Sequence, residues 1–126
     1  MIRTLHHAQI TIPIGAEAEA RRFFCDRLGL RELPKPAVLA VRGGFWLAVG
    51  DAEVHVGTED GVDRRRTKAH LAFEVDDLAA TRALIASLGL EIHDGEPVPG
   101  LARFECRDPF GNRMEFVQRI PGGEPR

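Results

Sequence analysis

Four residues of the types that bind divalent metals occupy related positions in the two halves of the sequence: His7, His55, His70 and Glu115. Imidazole nitrogens combined with a carboxylate suit zinc, nickel, iron(II) or manganese. When three or four protein ligands hold a six-coordinate ion, positions stay free for water or a chelating substrate, as in a catalytic site. The residue types therefore predict a catalytic metal centre, and the alternative is a polar cleft lining that binds no metal.

Two stretches that begin with a histidine and then alternate position His7 and His70. The side chains along residues 70–75 alternate between a more polar and an apolar face, and residues 7–12 follow the same pattern. Alternation with a period of two residues is typical of a strand that packs one of its faces on other elements. Both histidines are therefore predicted to lie on the more polar face of a strand.

The order of predicted elements is the same in both halves: a strand, a helix and three strands. Leu28-Gly29-Leu30 recurs as Leu88-Gly89-Leu90, and the same shift aligns His55 with Glu115. A unit of this size buries its own sheet face poorly, so the repeat predicts two copies stacked around a cleft.

The predicted bounds follow from hydrophobic pattern and from glycine stops. The first half has a strand at 7–12, a helix from Ala16 to Leu28, and strands at Ala37–Arg42, Phe45–Val49 and Glu53–Gly57. The second half has a strand from His70, a helix from about Asp77 to Leu88, and strands near 91–93, 102–107 and 113–118. The predicted fold class is α+β, in one domain over residues 1–126 with modules at about 1–58 and 68–120.

Further side chains are candidates for contact with a substrate. Arg103, Glu105 and Arg107 alternate with apolar residues, so one strand face is charged. On a cleft-facing strand, Arg103 could bind a substrate carboxylate or phosphate and Glu105 could act as acid or base; the alternative is a solvated sheet edge. Trp46, the one tryptophan, is either an apolar pocket wall or part of the core.

The composition excludes several classes of partner. A formal net charge of −2, with both signs spread along the chain, gives neither a nucleic-acid-binding stripe nor a polybasic membrane anchor. The expected partner is therefore a small molecule or a second copy. No apolar run approaches the roughly 18 to 20 residues that a membrane span needs, and the N-terminus lacks a signal-peptide core, which predicts a cytoplasmic protein. Cys25 and Cys106 show no CxxC spacing and are predicted to be reduced packing residues.

The sequence resembles the vicinal-oxygen-chelate (VOC) superfamily, which includes glyoxalase I, fosfomycin-resistance proteins, extradiol dioxygenases and bleomycin-resistance proteins. The resemblance covers nearly all of the chain and rests on residues 7–13, 23–30, 68–77 and 107–116. The last segment contains Asp108-Pro109-Phe110-Gly111-Asn112, which is similar to the turn before the metal-binding glutamate of the superfamily.

The resemblance implies a glyoxalase-like fold of paired βαβββ modules, and a homodimer whose metal sites draw on both chains. It implies His7, His70 and Glu115 as shared metal ligands. His55 matches the fourth ligand, which in bacterial glyoxalase I is a glutamate that also transfers protons. The chain lacks the tyrosine that extradiol dioxygenases use near iron, and it has Gln9 where fosfomycin-type transferases usually have threonine.

The predicted function is that of a metal-dependent enzyme which binds two neighbouring oxygens of a small substrate. Its reaction would be of the isomerase or lyase type through an enediolate, with iron-dependent dioxygenase chemistry as a second option. Glu105 and Glu115 are the candidate catalytic carboxylates, and Gln9, Trp46 and Arg103 are the candidate substrate contacts. The alternative is a non-catalytic protein of the bleomycin-resistance kind that sequesters a drug or metabolite.

Overall fold

A computed structural model describes residues 1–121 of the chain. The chain forms two compact units, residues 1–62 and the residues from Asp63 onward. Each unit contains a mixed sheet with helical segments, so the predicted α+β class and the repeat of strand, helix and strands are confirmed. None of the helices within residues 1–121 has the length and apolarity that a membrane span requires.

The sheet of the first unit has the strand order β1-β4-β3-β2. The strands are β1 (His7–Ile12), β2 (Arg31–Leu33), β3 (Phe45–Val49) and β4 (Ala52–Thr58). β1 runs parallel to β4, whereas β3 pairs antiparallel with both β4 and β2. The connection from β1 to its parallel partner therefore contains all the other elements of the unit, as a parallel pair requires a long crossover.

A helical segment follows β1, as the sequence predicts. It comprises α1 (Glu17–Arg21) and a π-helical turn (Arg22–Arg27) in which the Leu28 amide donates to the Phe23 carbonyl over 3.0 Å. The segment ends at Gly29, whose φ of 77° lies in the left-handed region that favours glycine.

The prediction of a strand at Ala37–Arg42 is wrong. Residues Ala37–Ala40 form a short helix, α2, directly after Pro36, and the strand that pairs with β3 is β2. Alanine and leucine favour helix, and an apolar run without alternation does not distinguish helix from strand. Val38 and Val41 are left exposed, so the run does not supply core.

The two faces of the first sheet differ in character because paired residues share a face. Ala8, Val54 and Leu47 are register partners, and so are Ile10, Val56 and Phe45. This apolar face carries most of the buried apolar side chains of the unit, which are Ile12, Ala20, Phe23, Phe24, Phe45, Leu47, Val54 and Val56. The opposite face carries the polar residues that the sequence singles out.

The second unit contains β5 (His70–Glu74), α3 (Leu78–Ser87), β6 (Leu101–Arg107) and β7 (Arg113–Arg119). Within residues 63–121 the sheet order is β5-β7-β6, with β5 parallel to β7 and β6 antiparallel to it. The predicted helix at 77–88 is confirmed: the Asp77 carboxylate caps α3 by accepting from the Ala80 amide at 3.0 Å, and Gly89 ends it.

The predicted strand at 91–93 is reduced to one bridge. The backbone of His93 exchanges two hydrogen bonds of 2.8 Å with that of Glu105. Among the described residues this bridge does not extend into a strand. Ile85, Phe104, Cys106, Met114 and Phe116 are the buried apolar side chains of this unit. The prediction that Cys106 packs as a free thiol is confirmed.

Candidate functional site

The polar face of the second sheet gathers the residues that could hold a metal. Strand register places Ala72, Glu115 and Glu105 in one row across the three strands. His70 and Arg113 stand in the next row. The face predicted to be charged in β6 is thus the face on which His70 and Glu115 lie.

His70, Glu105 and Glu115 form a compact group of possible ligands. One ligand atom from each lies within 4.8 Å of the other two. The Nδ1 of His70 donates to the Lys68 carbonyl at 2.9 Å, because a carbonyl oxygen can only accept. The Nε2 atom of His70 then faces a Glu115 oxygen at 3.3 Å.

The donor set fits a divalent transition metal. The His70 nitrogen and the Glu115 oxygen lie 3.3 Å apart and both carry lone pairs, an arrangement that a bound cation would stabilise. The hydrogen bond at Nδ1 holds the ring in its orientation, as a carbonyl or carboxylate bonded to the other ring nitrogen does for metal-binding histidines. His70, Glu115 and Glu105 are the residues that would hold the ion.

Two arginines also neutralise the carboxylates of this group. Arg103 donates to Glu115 at 2.7 Å, and Arg113 donates to Glu105 at 2.6 Å and 3.2 Å. The hydrogen bonds from Arg113 lower the pKa of Glu105. A carboxylate with a lowered pKa is better suited to bind a cation than to accept a proton near neutral pH. Its catalytic role stays a prediction.

A buried turn fixes the start of β7 and therefore the position of Glu115. The Asp108 carboxylate accepts from the amides of Phe110 and Asn112 and from the Asn112 side chain, at 2.8 to 2.9 Å. Asp108 is 2% exposed. Burial raises the pKa of Asp108, and these hydrogen bonds act in the opposite direction.

His7 and His55 lie together on the polar face of the first sheet. Their rings stack with 4.1 Å between centroids. The indole of Trp46 also stacks on the His55 ring, again at 4.1 Å. Glu53 accepts a hydrogen bond from the His55 Nε2 at 2.9 Å, and this bond lowers the pKa of Glu53.

A pocket of about 280 Å³ adjoins this stack. Gln9, Trp46 and His55 contribute to it from β1, β3 and β4. Gln9 packs flat against Gly57, where a Cβ atom would lie 3.2 Å from its side chain. Lys35, Leu39, Arg42 and Gly43 come from the segment that precedes β3, and Val56, Gly57 and Thr58 complete the lining.

The structure therefore groups the predicted site residues as two sets. His7, His55, Gln9 and Trp46 belong to the first unit, and His70, Glu105, Glu115 and Arg103 belong to the second. That all four predicted ligands share one ion stays a prediction. Glu105 as a possible ligand was not predicted, nor were the pocket cations Lys35 and Arg42.

Arg103 is more constrained than a substrate-binding role suggests. Its Nε and Nη2 atoms donate to the Glu96 carbonyl at 3.2 Å and 3.1 Å, while Nη1 donates to Glu115. Most of its guanidinium donors are thus engaged within the unit. Its contact with a substrate stays a prediction.

Comparison with known proteins agrees with the motifs. The family model of the Glyoxalase/Bleomycin resistance protein/Dioxygenase superfamily matches residues 4–116. The chain belongs to this superfamily. A search of curated proteins found no match to the chain.

Solved structures of the superfamily share its fold. A glyoxalase family protein from Bacillus anthracis is 37% identical with a TM-score of 0.87, and the match covers 95% of this chain and 98% of that one. A fosfomycin resistance protein from Listeria monocytogenes is 17% identical with a TM-score of 0.76, covering 96% and 94%. A glyoxalase/dioxygenase from Nostoc punctiforme is 23% identical with a TM-score of 0.74, covering 94% and 92%. The last two likenesses concern the fold alone.

Proposed function

We propose that this glyoxalase-superfamily protein is a metal-dependent enzyme that binds neighbouring oxygens of a small substrate. The convergence of His70, Glu105 and Glu115 within 4.8 Å is the observation that carries the proposal. A bound divalent ion would supply Lewis-acid stabilisation of negative charge on substrate oxygens. Isomerase or lyase chemistry is the proposed reaction type, with dioxygenase chemistry as the second option.

The protein's own residues would prepare the site in three ways. The Lys68 carbonyl holds His70 in the tautomer whose Nε2 is free to bind a cation. Arg113 keeps Glu105 ionised. Arg103 orients Glu115 by a 2.7 Å hydrogen bond. The proposal includes His7 and His55 as further ligands and a cytoplasmic protein, as the sequence predicts. It also includes a homodimer, as the resemblance to the superfamily implies.

Metal content of the purified protein tests the proposal. Elemental mass spectrometry of protein expressed without added chelator should find about one transition-metal ion per chain, the stoichiometry expected of one site. His70→Ala should lose that ion while its circular dichroism spectrum stays that of the wild type, because an exposed ligand contributes little packing. His93→Ala removes another exposed histidine of the same unit and should keep the ion. Unchanged metal content in His70→Ala would overturn the assignment.

One observation favours a second function, that of a binding protein without chemistry. The two glutamates are already paired with Arg103 and Arg113, so the site is charge-balanced by the protein alone. A binding protein of the bleomycin-resistance kind would need no metal ion to balance these charges. Absence of metal from wild-type protein, together with tight binding of a small molecule, would establish this alternative.

A further inference from the structure

The pocket of the first unit carries positive charge. Lys35 and Arg42 line it, and the lining, which lies wholly within residues 1–62, includes no carboxylate. Within residues 1–121 the Arg42 guanidinium makes no ion pair, unlike Arg21, Arg103 and Arg113. The pocket therefore presents cationic hydrogen-bond donors that no carboxylate of the described chain neutralises.

The backbone of both residues is restrained by its surroundings. Lys35 stands between Pro34 and Pro36, whose rings restrict the backbone, and its ammonium group donates to the Gly43 carbonyl. An ammonium group has three N–H donors, so two remain for a ligand. The carbonyl of Arg42 accepts from the Thr58 hydroxyl at 3.3 Å, which ties that backbone to β4.

The carboxylates beside the pocket are engaged elsewhere. Glu17 accepts from the Gly44 amide at 3.2 Å, and this bond lowers the pKa of Glu17. Glu53 accepts from His55 at 2.9 Å. An anion entering the pocket would therefore not displace a carboxylate from Lys35 or Arg42.

The rest of the lining determines what else the ligand carries. Trp46, Leu39 and Val56 supply apolar surface, whereas Gln9 supplies one amide that can donate or accept. A volume of about 280 Å³ suits a small molecule. The pocket thus combines an anion-binding side with an apolar wall.

We propose that this pocket binds the anionic group, a carboxylate or a phosphonate or phosphate, of a small molecule whose apolar part packs on Trp46, and that Lys35 and Arg42 are the anion-binding residues. That this ligand is a substrate rests on the proposed function, since His55 belongs both to the pocket lining and to the predicted metal ligands. It would make the substrate of the enzyme a small organic anion.

The fluorescence of Trp46 offers a direct assay, because the chain has one tryptophan and no tyrosine. The probes are butyrate, butylphosphonate and neutral butyramide, titrated into chelator-treated wild-type protein, Lys35→Gln and Arg42→Gln. Glutamine keeps a side-chain donor but removes the charge. Arg22→Gln is the matched control, since it removes the same charge from an exposed position outside the pocket.

The two anions should give a saturable fluorescence change in the wild type and in Arg22→Gln. Each pocket variant should weaken anion affinity about tenfold, as expected for one lost charge-assisted contact. Preference between butyrate and butylphosphonate identifies the anionic group. Equal affinity for butyramide, or unchanged anion affinity in both pocket variants, would overturn the proposal. Because the titrations use metal-free protein, they fail or succeed independently of the metal analysis.

Discussion

Glu105 and Glu115 face each other directly across β6 and β7, each with a guanidinium hydrogen-bonded to it. Like charges in opposite positions of neighbouring strands destabilise a sheet. Arg103 and Arg113 offset that repulsion in this protein, and a metal ion between the carboxylates would do the same.

Replacement of Glu115 tests whether the carboxylate pair binds metal. Glu115→Gln should reduce metal affinity by ~100-fold or more, since a charged ligand is lost rather than an outer partner. Glu105→Gln should reduce it less if Glu105 is an auxiliary ligand. Competition with a fluorescent chelator measures both affinities. Glu74→Gln is the control, because Glu74 lies on the same sheet face and, among residues 1–121, pairs only with Arg119 at the surface. A loss as large in that variant would point to a general effect of charge.

The Arg113–Glu105 pair should make stability depend on pH. Because Arg113 lowers the pKa of Glu105 from 4.5, the pair stabilises the fold above that pH, and the contribution is lost as the pH falls through the lowered value. Arg113→Gln should lower the free energy of unfolding by about 1 kcal/mol near neutral pH and by less at about pH 3. Urea denaturation at the two pH values measures the difference. Arg119→Gln, whose partner is exposed, should change little at either pH.

Gly44 should tolerate no side chain, because it combines a φ of 79° with close backbone contact. A Cβ atom there would lie 2.1 Å from the Val56 carbonyl oxygen. Gly44→Ala should lower the free energy of unfolding by more than ~3 kcal/mol. Gly50→Ala is the matched control: its φ is 54° and no atom lies within 4 Å, so about 1 kcal/mol is expected. Similar losses in the two variants, measured by urea denaturation, would show that the contact with Val56 is unimportant.

Cys106 should react with alkylating reagents only through unfolding. The residue is 1% exposed, and burial raises the pKa of Cys106 to about 12. At about pH 8, iodoacetamide should therefore modify the half-buried Cys25 first. Mass spectrometry of the labelled peptides measures the two rates, and denaturant should equalise them. Rapid labelling of Cys106 in native protein would contradict the burial of β6.

The sequence predicted the elements whose pattern is set by local physics. Alternation located β1 and β5, and Gly29 and Gly89 marked the helix ends because both adopt a φ of 77°. The run at Ala37–Arg42 was misassigned because an apolar stretch without alternation fits either a strand or a helix. Only the pairing of β2 with β3, a tertiary property, removes the ambiguity.

The candidate site was predictable to the same extent. Parity placed His70 and Glu115 on polar faces, yet the proximity of Glu105 depends on register. The Asp108–Asn112 turn is the signal for that register. A hairpin that pairs Arg107 with Arg113 around this turn puts Glu105 opposite Glu115. Lys35 and Arg42 had no such signal, since the short helix between them was not expected.

The turn at Asp108 has a consequence for how variants of this protein behave. A slip of β7 by a single position would send Glu115 to the side occupied by Phe116 and Met114, so that the carboxylate would vanish from the site without being mutated. The buried Asp108 carboxylate, which binds three N–H groups, prevents this misalignment. Damage to Asp108 would thus look like the loss of a ligand several residues away.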